Sequence, residues 1–310
     1  MIKVAFIGAG VISEEHLKVF SQIDDFELCG IYSRSVDKAI TLSQKYKIKN
    51  VYNSIDDLYI TTKADVVIVS VSILELRNIT NEIFKYEWSC LLEKPIGYNK
   101  LEFELILQNA KLHNAIVYVA LNRRNYDSIN LVLNEINDID DKRIIHILDQ
   151  EDIISQRLNG VNELILENYM YANSVHLIDL FLLFGRGNII KIDNVIPWNK
   201  NIPSFLLSII SFSSGDIGIY EAVWNAPGPW SMSINTNITR FELRPLEVAH
   251  KLEYGKRIPI VLLNDNSESF KPGFMNQAVN LKKAIKGEEH NLLNIEKYAN
   301  TVNLISKIYE

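Results

Sequence analysis

A short apolar strand that runs without a linker into a glycine turn, and from the turn into a helix, constrains this chain more than any other stretch. It reads Ile2-Lys-Val-Ala-Phe-Ile-Gly-Ala-Gly-Val-Ile-Ser13. Gly8 permits a sharp turn. Gly10 has no Cβ, so the backbone can approach a pyrophosphate held by amide groups and by the positive end of the next helix. The third glycine of the dinucleotide fingerprint is replaced by Ser13. That position serves close packing of helix on strand, so a small residue weakens the match without destroying it. An ordinary strand-to-helix turn would use the same two glycines, and the rest of the chain must decide.

The next stretches support the dinucleotide reading. Strands are predicted at Phe26–Tyr32, Asp65–Val71, Ser89–Leu92 and Ile116–Leu121. Helices are predicted over Glu14–Ser21, Val36–Tyr46, Leu74–Lys85 and Lys100–His113, with a short helical turn at Asp56–Tyr59. Such alternation implies parallel strands joined by right-handed crossovers, here a six-stranded doubly wound sheet over residues 1–122. With 310 residues, 47% hydrophobic and 23% charged, the chain can build two domains with real cores. The net charge of −6 is not concentrated in runs, so neither nucleic acid nor an anionic membrane is an expected partner. Cys29 and Cys90 each lie in an apolar run and read as buried thiols in a reducing compartment. The first strand begins at Ile2, and no apolar run approaches a membrane span, so a cytoplasmic protein is expected. Metal-ligand spacing is not found.

The end of the second strand speaks to the nucleotide. An acid about 20 residues past the glycine turn usually takes the ribose hydroxyls. Here the sequence is Tyr32-Ser33-Arg34-Ser35. Two hydroxyls and a guanidinium suit a 2′-phosphate, which favours NADP, with NAD as the alternative. Ser35 would also serve as the N-cap of the next helix. A second signal is Leu91-Leu-Glu-Lys-Pro95, an apolar strand ending in Glu93 and Lys94. Ligands of open parallel sheets bind beyond the carboxyl ends of the strands. An ammonium there can hydrogen-bond a substrate oxygen and stabilise charge that grows during reaction, although a surface ion pair would look the same in sequence.

Beyond residue 122 the texture changes. A helix over Asp127–Ile136 and a strand over Arg143–Leu148 precede a less regular segment to about Tyr171. The segment Ser174–Phe184 is apolar around nearly its whole circumference, capped by Asn173 or Ser174 and stopped by Gly185, and should be buried. Its ionisable residues, His176 and Asp179, share a face. Burying both is costly unless they meet each other, a ligand or a polar cleft. Downstream, Phe205–Phe212 and Ile217–Val223 form a hairpin through Ser213-Ser-Gly-Asp216, and Met232, Ile234 and Ile238 alternate with polar residues. Trp224-Asn-Ala-Pro-Gly-Pro-Trp230 is a rigid aromatic loop, and Trp224 is a candidate to stack on a sugar ring or to fill the core. Two helices, through Phe274, Ala278, Leu281 and Ile285 and through Tyr298, Val302, Ile305 and Tyr309, close the chain on either side of Gly287.

Taken together, the Gly8–Gly10 turn, Glu93-Lys94-Pro95, Asn122-Arg-Arg-Asn-Tyr126 and Val175-His-Leu-Ile-Asp179 resemble the Gfo/Idh/MocA family of NAD(P)-dependent sugar oxidoreductases. The resemblance implies an α/β fold: an N-terminal Rossmann domain over 1–122 and a C-terminal α+β domain over 123–310 with a large, mainly antiparallel open sheet. It implies hydride transfer between the nicotinamide and a carbon of a sugar or nucleotide-linked sugar, with the active crevice between Lys94 and His176. Lys94 would polarise the substrate oxygen, His176 would transfer the proton, and Asp179 would orient it. Cofactor contacts would fall on Gly8, Ala9, Gly10, Val11, Ile12, Ser33, Arg34, Ser35, Ser70, Glu93, Lys94 and Asn122. Substrate contacts would come from Lys94, Tyr171, Asn173, His176 and Trp224. A homodimer or homotetramer through the second sheet is implied as well.

Two departures stand out. Ala172 occupies a position, four before the histidine, where many members of that family have aspartate. His176 would then act with Asp179 alone, Tyr171 or Asn173 would stand in, or turnover would be impaired. Ser70-Val-Ser72 replaces the proline-bearing turn common after the fourth strand. A cofactor-binding sensor without turnover is therefore the alternative from another class.

Overall fold

Apolar runs followed by stretches of helical period set up the alternation of the first half of the chain. The computed structural model describes residues 1–263 and 270–310. In chain order it contains β1 (Ile2–Ile7), α1 (Val11–Phe20), β2 (Phe26–Tyr32), α2 (Val36–Tyr46), β3 (Val51–Tyr52), α3 (Ile55–Thr62), β4 (Val66–Val69), α4 (Leu76–Ile83), β5 (Ser89–Glu93), α5 (Lys100–Leu112) and β6 (Val117–Ala120). There follow α6 (Asp127–Ile136), β7 (Ile144–Glu151), α7 (Ile153–Leu158), α8 (Glu163–Leu166), α9 (Val175–Phe184), β8 (Ile189–Ile196), β9 (Phe205–Phe212), β10 (Ile217–Trp224), β11 (Ser231–Asn235), β12 (Thr239–Leu243), β13 (Ala249–Glu253) and β14 (Ile260–Leu262). The chain closes with α10 (Phe274–Ile285), β15 (Leu293–Asn294) and α11 (Ile295–Tyr309). No helix of the described residues is long and apolar enough to cross a membrane.

The first unit comprises Met1–Asn125 and Glu268–Ala299. Its sheet has the order β15-β6-β5-β4-β1-β2-β3, all parallel except β15, which runs antiparallel to β6. The sheet has seven strands rather than the expected six: the five named from their apolar runs are joined by the two-residue strands β3 and β15, which are made by pairing rather than by any pattern of their own. The expected split at residue 122 also differs from the fold. Phe274, Ala278 and Leu281 of α10 are buried in the same core as Phe6, Leu17 and Phe20, so this late helix completes the nucleotide-type sheet. Cys29 and Cys90 are buried free thiols, and burial pushes the Cys29 thiol up to about 11.

The second unit, Tyr126–Ser267 with Asn300–Glu310, is built on a sheet of order β14-β13-β12-β11-β7-β10-β9-β8. Among the described residues of this sheet only β7 and β10 pair in parallel. Strict alternation along β7, β9 and β10 buries one face of each strand, including Ile145, Ile147, Ile210, Tyr220 and Ala222. Most of α9 is buried as its all-round apolar sequence requires. Two details of the sequence reading are corrected. Ser231 and Ser233 of β11 are buried along with Met232 and Ile234, so both faces of that strand are covered rather than one being solvated. Ile238, expected in the strand, sits exposed in the turn before β12. The segment before Tyr171 contains α7 and α8, and a π-helical turn at Met170–Ser174 leads into α9.

Asp216, in the β9–β10 hairpin, pins one end of this unit. Fully buried, it accepts from the Arg143 amide at 2.9 Å and from the Arg186 amide, Nε and Nη2 at 3.1, 3.0 and 2.9 Å. The Arg143 side chain donates to the last carbonyls of α9 (Phe184, 2.8 Å) and α6 (Ile136, 3.0 Å), where a cation complements the helix ends. Burial pushes the Asp216 carboxyl up, but the bonds from Arg186 and the Arg143 amide outweigh it and hold the group below its ordinary 3.8. The stability it contributes is therefore present above that value and is lost as pH falls through the lowered one. Arg186→Met, which strands the buried carboxylate, should cost on the order of 3 kcal/mol. A urea midpoint equal to that of the wild type would show that the pair contributes nothing.

Candidate active site

At the carboxyl edge of the first sheet, β1 ends in the turn that the sequence singled out. The Gly8 amide donates to Tyr32 O at 2.9 Å, and the Ser70 amide donates to Ile7 O at 2.9 Å, which fixes the turn between its two neighbouring strands. Gly8 has φ +107°, and a Cβ there would lie 2.2 Å from the Ser70 carbonyl oxygen. Ser13, in the place of the third glycine, is fully buried and donates through Oγ to Gly8 O at 2.8 Å. The substitution therefore adds a lock on the turn while keeping helix close to strand.

A cavity of about 350 Å³ opens over this turn. It is lined by Gly8, Ala9 and Gly10 at one end, by Ser70, Val71 and Ser72 along β4's exit, and by Ser33, Arg34, Ser35, Lys38 and Glu75 at the other end. Its features fit a dinucleotide. Gly10 is the N-cap of α1 without a side-chain capping bond, it lines the cavity, and a Cβ on it would meet nothing within 4 Å, so a ligand can approach the helix start closely. Ser70 Oγ is buried and has no hydrogen-bond partner among the described residues. Ser35 is the N-cap of α2, yet its hydroxyl makes no capping bond. Arg34 pairs with Glu75 at 3.1 Å, with the guanidinium about two-thirds exposed.

The other expected cofactor residues are placed differently. Val11 is exposed on the first turn of α1, and Ile12 packs against the core. Glu93, at the end of β5, lies 2.8 Å from Nε2 of the buried His16 on α1, whose ring packs at 4.8 Å, tilted by 47°, on Phe274 of α10. Lys94, its amide 3.2 Å from Glu93 Oε2, follows directly. Asn122 is buried and donates through Nδ2 to Pro272 O at 3.1 Å, a bond that ties α10's approach to the end of the first sheet. Lys38 and Glu75 were not anticipated. Lys38 lies four residues beyond Arg34 at the start of α2, a spacing that could have revealed it.

In the second unit, His176 and Asp179 are both buried, 2% and 1% exposed, on α9. Asp179 Oδ1 accepts from Thr301 Oγ1 of α11 at 2.9 Å. Asn173 and Ser174, expected as helix caps, instead turn their side chains to Glu151 at the end of β7. The Asn173 Nδ2 distances are 2.8 and 3.1 Å, and Ser174 Oγ donates at 3.2 Å. Tyr171 is buried and its hydroxyl donates to Glu310 Oε1 at 3.3 Å. Trp224 is buried in an aromatic cluster, 4.6 Å from Trp198 and 5.9 Å from Tyr309, which gives its ring a packing role.

Residues 2–121 match a family described as an oxidoreductase family with an NAD-binding Rossmann fold, Gfo/Idh/MocA. Over 121 residues the chain is 24% identical to scyllo-inositol 2-dehydrogenase (NADP(+)) IolU of Bacillus subtilis, a match spanning 39% of this chain and 37% of that relative's length. Among solved structures, UDP-N-acetylglucosamine 3-dehydrogenase GnnA from Acidithiobacillus ferrooxidans is similar with a TM-score of 0.78 and 13% identity, over 99% of this chain and 96% of that one. A dehydrogenase from Chromobacterium violaceum is similar with a TM-score of 0.82 and 16% identity, over 99% and 94%. These similarities extend the fold assignment to the second sheet.

The geometry at Gly8 yields a direct test. Gly8→Ala should weaken dinucleotide binding by roughly tenfold or more, each tenfold being 1.4 kcal/mol, because the new methyl collides with backbone rather than a movable side chain. Wild-type affinity in a calorimetric titration would show that the turn does not shape the cavity.

Proposed function

We propose that the protein transfers hydride between a nicotinamide dinucleotide, NADP in preference to NAD, and a carbon of a sugar or nucleotide-linked sugar, a reading supported by the match of residues 2–121 to the Gfo/Idh/MocA oxidoreductase family with its NAD-binding Rossmann fold. The carrying observation is the cavity that joins the glycine turn to Ser33, Arg34 and Lys38. A pyrophosphate suits the α1 N-terminus, and a 2′-phosphate suits two hydroxyls flanked by a guanidinium and an ammonium. The names of the inositol and nucleotide-sugar dehydrogenases similar to this chain support the substrate class.

When bound, the nicotinamide supplies or accepts the hydride. The chain does the rest. Lys94, at the carboxyl end of β5, donates a hydrogen bond to the reacting oxygen of the substrate and stabilises the negative charge that develops on it. His176 holds the proton that this oxygen gains or gives up, and the Asp179–Thr301 bond fixes the helix face that carries it. Asn173 and Tyr171, on the turn before α9, are held on Glu151 and Glu310 and act in the fold rather than on the sugar. The outer face of the second sheet carries half-exposed Ile209, Ile217, Ile219 and Val223, which supports assembly of that face against a second copy.

Fluorescence titration with NADPH and NADH, followed by turnover on a panel of inositols and sugar nucleotides, tests the reading. NADPH should bind more tightly. Arg34→Ala should lose about 1.5–3 kcal/mol of NADPH affinity, a tenfold to hundredfold effect, and leave NADH nearly unchanged. Glu75→Gln should strengthen NADPH binding, since it frees Arg34 from its ion pair. Lys94→Ala and His176→Ala should each reduce kcat by roughly 100-fold or more. Equal loss of both cofactors in Arg34→Ala, or full turnover in either catalytic variant, contradicts the assignment.

A further inference from the structure

Asp149 and Glu151 end a strand whose alternate residues face inward, so two carboxyls two residues apart are buried on the same side of the sheet, 1% and 2% exposed. Their hydrogen bonds form a closed ring. Glu151 is bonded to Asp149 and accepts from Asn173 and Ser174. Asp149 Oδ2 accepts from Tyr220 Oη at 2.6 Å, and Tyr220 Oη lies 2.8 Å from Tyr309 Oη. Tyr309 is in turn hydrogen-bonded to Ser174. Four elements meet here: β7, β10, α11 and the π-helical turn that runs into α9.

We propose that Glu151 is a positioning residue for His176, its buried carboxyl clamped onto Asn173 and Ser174 at the entry to the helix carrying the imidazole. This inference rests on the functional reading above for the role of His176. The chemistry is that of two acids in one dry site. Both cannot ionise, because neither charge has water around it and each repels the other. Asp149, with the short tyrosine bond, keeps the charge, and Glu151 keeps the proton. Burial first, and then the Asp149 charge, push the Glu151 carboxyl well above its ordinary range, outweighing the opposing bonds from Asn173 and Ser174.

The groups facing Glu151 can be named by element. On its own strand there is Asp149; on the π-helical turn and the residue before it there are Tyr169, Asn173 and Ser174; on β10 there is Tyr220; on α11 there is Tyr309. Burial raises all three tyrosines, Tyr169 to about 12, so they stay neutral hydroxyls while Glu151 titrates. The folded chain thus takes up a proton at Glu151 where the unfolded chain has none. The stability this brings is full below the ordinary carboxylate value of 4.5 and is lost as pH rises through the raised one. Above that pH a second charge enters the ring, and the hold on Asn173 and Ser174 changes with it.

The full-length wild type, Glu151→Gln and Glu151→Ala are compared by infrared spectroscopy, by the side-chain 15N signal of His176 across pH, and by NADPH-dependent turnover. The wild type should show a protonated-carboxyl stretch at neutral pH that disappears on alkaline titration and is absent from both variants. The His176 signal should carry an inflection at that same pH, which Glu151→Gln loses. Glu151→Ala should lower kcat by about tenfold or more without changing NADPH affinity, and Glu151→Gln, an isostere of the neutral acid, should rescue the rate and remove that alkaline limb. The proposal is overturned by the lack of a protonated-carboxyl band, by a His176 signal that ignores it, or by a folded Glu151→Gln as impaired as Glu151→Ala. If no sugar is turned over while the band and the coupled His176 inflection are present, the functional reading fails and the positioning role stands.

Discussion

A residue with no side chain sets the geometry on which the first unit depends. At position 8 the backbone turns with φ +107° against the Ser70 carbonyl, at a separation that leaves no room for a methyl group. That close approach brings the exits of β1 and β4 together, and the Gly8 amide bond to Tyr32 O adds the exit of β2. Three strand ends thereby surround one opening, and Gly10, the N-cap of α1, lines it. Ser13 closes the turn from the helix side. Further out, the same edge carries Glu93 and Lys94, and the Glu93–His16 contact holds the end of β5 to α1. A cavity lined by a glycine turn at one end and by Ser33, Arg34 and Lys38 at the other is a consequence of this one tight turn and the parallel order around it.

The second unit solves a different problem, that of keeping polar groups inside a sheet covered by an apolar helix. Asp216 does so with charge, pairing with Arg186 and two amides. Asp149 and Glu151 do so with a shared proton and tyrosine hydroxyls. The two solutions have opposite pH dependence. Asp216 contributes stability that acid removes, and the carboxyl pair contributes stability that base removes, so the unit should be most stable between them.

Much of this was legible wherever a residue's own pattern determines its surroundings. Phe26–Tyr32, Val36–Tyr46, Asp127–Ile136 and Phe205–Phe212 have in the structure the limits that their periodicity and flanking residues indicate. The glycine turn and Ser33–Ser35 were found because phosphate chemistry leaves a local signature. What escaped is non-local. β3 and β15 have two residues each and exist only through their partners. The allegiance of α10 to the first unit is a matter of which core Phe274 enters. Glu151 was missed because Asp149-Gln-Glu-Asp152 looks like the polar end of a strand, whereas in the fold alternation continues and turns two of those acids inward. Asn173 and Ser174 have the composition of helix caps and were drawn away by the carboxyl below them.

The central claim is that one opening at the carboxyl edge of the first sheet holds a complete NADP. A crystal structure of the chain with NADP+ tests it most directly. The account predicts the pyrophosphate over Gly10 at the start of α1 and the 2′-phosphate between Ser33, Arg34 and Lys38, with Arg34 released from Glu75. A dinucleotide bound elsewhere, or one whose 2′-phosphate points into solvent while Arg34 stays on Glu75, would contradict it.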